Sequence, residues 1–178
     1  MKYLVTAAEM KKYDNNTSEQ IGIPGMVLME RAALAAFEVI QKAFEQRADQ
    51  GKKVFILAGV GNNGGDGLAL GRLLAESGYR VTIQVVGQEE KASEQWRIQR
   101  KIISHYPVTF SSKATGEEYN IIIDALFGVG LSRTVTGVYG EAIEALNAAS
   151  GWKLALDMPS GVNADNGQIC GCAVQADV

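Results

Sequence analysis

Three aspartates stand where three apolar runs end. Val54–Ala58 opens into Gly59-Val-Gly-Asn-Asn-Gly-Gly-Asp66, Ile121–Ile123 runs into Asp124, and Leu154–Leu156 runs into Asp157, followed by Met158, Pro159 and Ser160. If those runs are neighbouring strands, Asp66, Asp124, Asp157 and Ser160 converge on one crevice. Crowded carboxylates raise one another's pKa or are neutralised by a cation. Hard cations take oxygen ligands, and Asn63, Asp124 and Ser160 can supply such a set. That leaves another aspartate for proton transfer with a raised pKa. Singly, each aspartate reads better as a cap or turn residue; the coincidence at three strand ends reverses that and points to a site.

The loop after the first run has the spacing G-x-G-x-x-G, at Gly59, Gly61 and Gly64. Glycine permits a tight turn, and free amides at the next helix start attract phosphate. No Lys-Ser/Thr pair follows, so this is not a Walker A loop. A dinucleotide fingerprint also wants an acid at the end of the second strand. That position reads Val85-Val-Gly-Gln88, with Glu89 arriving late, which argues against a hydride-transferring oxidoreductase. A further glycine-rich segment follows Asp124. Gly128 and Gly130 there allow close backbone approach, Arg133 can neutralise phosphate, and Ser132 and Thr134 can donate hydrogen bonds. The single histidine, His105, precedes Tyr106-Pro107 and completes no nucleophile–base pair.

These residues need a scaffold. Thr6-Ala-Ala-Glu9 has capping-box form and predicts a helix fading near Asn15-Asn16. After Pro24-Gly25, Met26, Met29, Ala33, Phe37, Ile40 and Phe44 recur every three or four residues, predicting a long amphipathic helix. Its Met26, Met29 and Ala33 face suits core packing, with a homodimer surface as the alternative. Short apolar runs at Val54–Ala58, Val81–Val86, Val108–Phe110, Ile121–Ala125 and Leu154–Leu156 then alternate with helical segments at Leu68–Ser77, Ala92–Ser104 and Gly140–Ala149. Runs apolar on both faces indicate a doubly wound, Rossmann-like parallel sheet covered by helices on both sides, in the order 3-2-1-4-5, behind an N-terminal helical extension. Ala173–Val178 reads as a new strand beginning, which suggests a domain shortened at its C-terminal end.

With 178 residues, 47% hydrophobic and 21% charged, the chain suits one domain. A net charge of −3 offers no footprint for nucleic acid or an anionic membrane. Glu9, Lys11 and Lys12 interrupt any signal-peptide core, and no apolar run spans a membrane, so a soluble, cytoplasmic protein is expected. Cys170 and Cys172 form a C-x-C pair with too few companions for a metal site; two reduced cysteines entering a strand is the plainer reading.

The motifs GVGNNGGDG, IIIDALFGVGL and ALDMPSGVNADNG, in that order, resemble the NAD(P)H-hydrate epimerase family, the YjeF N-terminal domain. The resemblance covers essentially all of residues 1–178, including Gly22-Ile-Pro-Gly-Met26 and Leu28-Met-Glu-Arg-Ala-Ala33. It implies an isomerase that interconverts the R and S forms of hydrated NADH and NADPH, so that an S-specific dehydratase can restore the cofactor. That dehydratase is a separate partner or a fused domain. The hydrate is the substrate, and a potassium ion is the implied cofactor. Carried over by motif, Asn62, Asn63, Gly64, Gly65 and Asp66 bind the hydrate. Gly128, Val129, Gly130, Leu131, Ser132, Arg133 and Thr134 hold phosphate and ribose. Asn63, Asp124 and Ser160 hold potassium, and Asp157 contacts the damaged nicotinamide, with Asp157 the leading acid/base and Asp66 the second. The family domain continues past the point where this chain stops. A non-catalytic binding module is the alternative; such relatives lose the strand-end aspartates, which this sequence keeps.

Overall fold

The computed structural model describes residues 4–44, 52–112 and 118–178. Five parallel strands form one sheet: β1 (Lys53–Ala58), β2 (Arg80–Val85), β3 (Val108–Ser111), β4 (Ile121–Ala125) and β5 (Trp152–Ala155), in the order β3-β2-β1-β4-β5. This is the order predicted from the alternation of apolar runs and helices. The helices are α1 (Ala7–Glu19), α2 (Gly25–Phe44), α3 (Asn62–Glu76), α4 (Glu94–Ile103) and α5 (Val138–Ala148).

Alternate residues of the strands feed two cores. Val54, Ile56, Ile83, Ile121 and Ile123 pack under α2, α3 and α4, whereas Phe55, Leu57 and Ile122 pack with Ile143 and Leu146 of α5. A fully buried aliphatic side chain contributes roughly 1.5–3 kcal/mol relative to exposure, so this central layer dominates stability. Met29 and Ala33 are buried in the first core and Met26 is packed against it. That face of α2 is therefore core packing and is not open to a second copy of the chain.

The helix α1 differs from every other helix. Its capping box forms as predicted: Glu9 N–H donates to Thr6 Oγ1 at 3.3 Å, and Thr6 N–H donates to Glu9 Oε2 at 2.8 Å. It extends beyond Asn16 to Glu19, where Thr17 Oγ1 donates back to the Tyr13 carbonyl at 2.8 Å. None of its residues is buried. A link to the body comes from Ala7 N–H donating to Asp165 Oδ1 at 2.6 Å.

Helix α3 begins at Asn62, six residues before the predicted Leu68. Glycine costs up to about 1 kcal/mol in a helix, which is why the glycine-rich stretch reads as loop. Packing outweighs that cost here. A Cβ on Gly65 would lie 2.7 Å from Met29 Cε, and one on Gly67 would lie 2.6 Å from Ala125 Cβ. Glycines let α3 settle directly against β4 and α2. An Arg72–Glu30 ion pair with contacts of 2.5 and 2.6 Å ties α3 to α2.

Residues 173–178 do not form a strand, but they run beside β5: Asp177 N–H donates to the Lys153 carbonyl and Ala155 N–H to the Val178 carbonyl, both at 2.8 Å. Cys170 and Cys172 are free thiols packed against the second core. His105 lies exposed in the turn after α4. Among the described residues no helix is long and apolar enough to cross a membrane.

Candidate functional site

Because β1, β4 and β5 are parallel neighbours, their carboxyl ends open on one side of the sheet, where doubly wound proteins bind ligands. A cleft of about 1170 Å³ lies there. Its walls include the first turns of α3, the segment from Leu126 to Arg133, the turn at Asp157 and one side of α1.

The three glycines of the loop divide the work. A Cβ on Gly59 would collide with the Leu126 carbonyl oxygen, and one on Gly64 with the Gly59 carbonyl oxygen, so both serve close packing. Gly61 instead meets nothing within 4 Å. It is the N-cap of α3 and offers no side chain to the helix amides. The positive end of α3 therefore faces the cleft uncapped, an arrangement that suits an anion.

Beneath the floor, Asp124 is fully enclosed, with 1% exposure. Its carboxylate accepts from Ser160 Oγ at 2.6 Å, Ser160 N–H at 2.7 Å and Leu126 N–H at 3.1 Å. Burial pushes its pKa up, and those three donors pull against the shift. Ser160 Oγ in turn accepts from Phe127 N–H at 2.8 Å. Asn63 Nδ2 donates to the Phe127 carbonyl at 2.8 Å, while Asn63 Oδ1 is buried without a partner among the described residues. The Asn63 amide is thus linked through the Phe127 carbonyl to the Ser160 hydroxyl and, through it, to the Asp124 carboxylate.

Asp66 contrasts with Asp124. It accepts no hydrogen bond among the described residues, and its pKa is raised to about 7, first by burial, then by the charge of Asp157 and then by that of Asp14. Asp157 is the one non-glycine residue with positive φ among the described residues, at 71°. A non-glycine residue in this region costs of order 1 kcal/mol, and such strain concentrates at functional sites. Its Oδ2 accepts from Val129 N–H at 2.9 Å. Gly128 makes that possible, since a Cβ there would lie 2.6 Å from Asp157 Oδ2.

The cleft brings together Asn62, Asn63, Asp66, the segment Gly128–Arg133 and Asp157. Asp124 and Ser160 lie under it, and Gly64 and Gly65 turn into packing contacts. Thr134 is exposed and lines no cavity described here. Sequence reasoning missed Lys11 and Asp14, which line the cleft from α1 with Ala7 and Met10. The spacing 7, 10, 11, 14 is one helix face and was the available signal. Nothing in it distinguishes a polar face over a cleft from one over solvent.

A doubly wound parallel α/β protein with an uncapped helix end and paired carboxylates at the strand ends is the class that fold and site define. Residues 25–178 match the family described as YjeF-related protein N-terminus. Similar proteins include the NAD(P)H-hydrate epimerases of Limosilactobacillus reuteri, 46% identical over 97% of this chain and 81% of the relative, and of Levilactobacillus brevis, 46% identical over 99% of this chain and 81% of the relative. A crystal structure of the yeast protein YNL200c superposes with a TM-score of 0.85 at 25% identity, covering 98% of this chain and 78% of that one. The chain belongs to the YjeF-related N-terminal family.

Proposed function

We propose that this protein is an NAD(P)H-hydrate epimerase, an isomerase that interconverts the R and S hydrates of NADH and NADPH by acid/base chemistry at nicotinamide C6. The observation that carries the chemistry is the pairing of Asp66, raised to about 7, with Asp157 in one cleft. The names of the relatives support the substrate.

The hydroxyl at C6 sits beside the ring nitrogen. Protonation of that hydroxyl lets the C6–O bond break as the nitrogen lone pair moves in, releasing water and leaving an iminium-like cation. Water returning to the opposite face restores the C–O bond and gives its extra proton back. The reaction is redox-neutral and consumes nothing. It needs one carboxyl that holds a proton near neutral pH and negative charge beside the cation. Asp66 supplies the first, and the Asp157 carboxylate in the same cleft supplies the second. Val129 N–H fixes Asp157 against the cleft wall, and the uncapped end of α3 and Arg133 would hold phosphate.

The donor set under the floor fits the potassium ion that the family resemblance implies. Asn63 Oδ1, the Phe127 carbonyl, Ser160 Oγ and the Asp124 carboxylate are all oxygens, and the first is buried without a partner among the described residues. Mixed oxygen donors with a single carboxylate are the kind of set a hard cation takes. Asn63, Asp124 and Ser160 would hold it, and its charge would balance Asp124 beneath the reacting centre.

The test supplies an R/S mixture of hydrated NADPH with an S-specific dehydratase. The R form should disappear at a rate set by the amount of this protein. A residual R fraction decaying no faster than without it would refute the assignment.

A further inference from the structure

A second groove, of about 940 Å³, opens at the carboxyl end of β2 and shares Val60, Val86, Arg133 and Tyr139 with the main cleft. Arg133 therefore stands at the junction of two lobes, its guanidinium 6.0 Å from the centre of the Tyr139 ring. In doubly wound proteins that bind dinucleotides, the end of the second strand receives the adenosine ribose. An acid there hydrogen-bonds a free 2′-hydroxyl, and a basic side chain accommodates a 2′-phosphate.

Here β2 ends in Val85-Val86-Gly87-Gln88, without an acid. Glu89 and Glu90 follow in a short turn but do not line the groove, whereas Lys91 does. The turn is pinned: Lys91 N–H donates to the Gln88 carbonyl at 2.9 Å, and Arg97 of α4 donates to the Glu90 carbonyl at 2.7 Å. Lys91 has no carboxylate partner among the described residues. The groove's acid, Glu141, comes from the first turn of α5, not from β2.

We propose that this groove takes the adenosine end of the substrate and that Lys91 receives its 2′-phosphate, which makes hydrated NADPH the favoured substrate over hydrated NADH. The inference rests on the epimerase reading. An ammonium meeting a phosphate makes a charge-assisted contact that a bare ribose cannot offer. The phosphate carries its charge to Lys91 and Arg133 on a rim where one acid opposes two cations.

Calorimetric titration of the full chain with NADP+ and NAD+, which differ only in that phosphate, reads the groove without needing catalysis. NADP+ should bind about tenfold more tightly, a difference of about 1.4 kcal/mol. Lys91→Met should bring the ratio near one, and Gln88→Glu, which restores an acid after β2, should reverse it. The ratio of kcat/KM for the two hydrates should follow the same series, mainly through KM. Equal affinity for NADP+ and NAD+ in the unaltered protein, or a ratio untouched by Lys91→Met, would overturn the assignment. A Lys91-dependent preference for NADP+ without R-hydrate consumption would remove the epimerase reading and leave the groove. Epimerisation of both hydrates with equal KM would do the reverse.

Discussion

Asp124 and Asp66 lie on neighbouring elements, and burial pushes both upward in pKa, yet they are built for opposite ends. Asp124 sits inside β4 with three donors on its carboxylate, at 2.6, 2.7 and 3.1 Å. Asp66 is only partly buried on the cleft wall, has no donor among the described residues, and two further carboxylates bear on it. Hydrogen bonds to the charged form favour ionisation, whereas like charges and dryness favour the proton. Donors and access to the cleft together separate a carboxylate that holds architecture from one that can carry a proton. Asp157 stands between these extremes, with one backbone amide on one oxygen.

The largest break in that contrast should come from the proton carriers. Asp66→Asn and Asp157→Asn should each lower the rate of R-hydrate consumption by roughly 10²–10⁴-fold, the usual range for a positioned acid or base. The double variant should be little worse than either single one, because the two act as a unit. Single-turnover rates with saturating hydrate would separate this from weakened binding. Full activity in either variant would dissolve the pairing.

Stability should split in the other direction. Asp124→Ala strips the acceptor from the buried Ser160 amide and hydroxyl and should destabilise the fold by roughly 2–4 kcal/mol in urea titrations at pH 7. Asp66→Asn should stabilise it, and only above acidic pH. The carboxyl of Asp66 binds its proton more tightly in the folded chain, at about 7, than at its ordinary value of 3.8. Stability from that proton is complete below about pH 4 and is lost as pH rises through 7. The gap between Asp66→Asn and the unaltered protein should therefore open between pH 4 and pH 8, reaching roughly 2–4 kcal/mol. Parallel stability curves for the two proteins would show that Asp66 titrates normally.

Much of this contrast was legible in the sequence, for a physical reason. Strand ends in a doubly wound sheet face one side, so Asp124 and Asp157 announce their location as soon as the apolar runs are ordered. The alternation of Val54 to Ala58 and of Ile121 to Ile123 with helical segments fixed the sheet, and the structure keeps that order. What stayed hidden was which carboxylate has donors. Ser160 reaches Asp124 across 36 residues, and no local pattern encodes that contact. The start of α3 at Asn62 was hidden for a different reason. Glycine's poor helix propensity is local, and the close contacts with Met29 and Ala125 that override it are not.

The smallest effect probes α1, the element least tied to the rest. Asp14 is the last of the three influences on Asp66, behind burial and Asp157. Its side of α1 also carries Lys11 toward the cleft. Removing that charge by Asp14→Asn should let Asp66 ionise more easily. The pH dependence of kcat should then move toward lower pH by a few tenths of a unit, since the interaction is weak and solvent-screened. Raising the ionic strength should shrink the difference between the two proteins, because the charge of an exposed residue such as Asp14 is screened. The fold should not change in stability, because α1 buries nothing that Asp14 supports. A profile unmoved by the substitution at low salt would mean that α1 does not lie over the cleft in solution. The electrostatics of the proton carrier would then belong to the sheet ends alone.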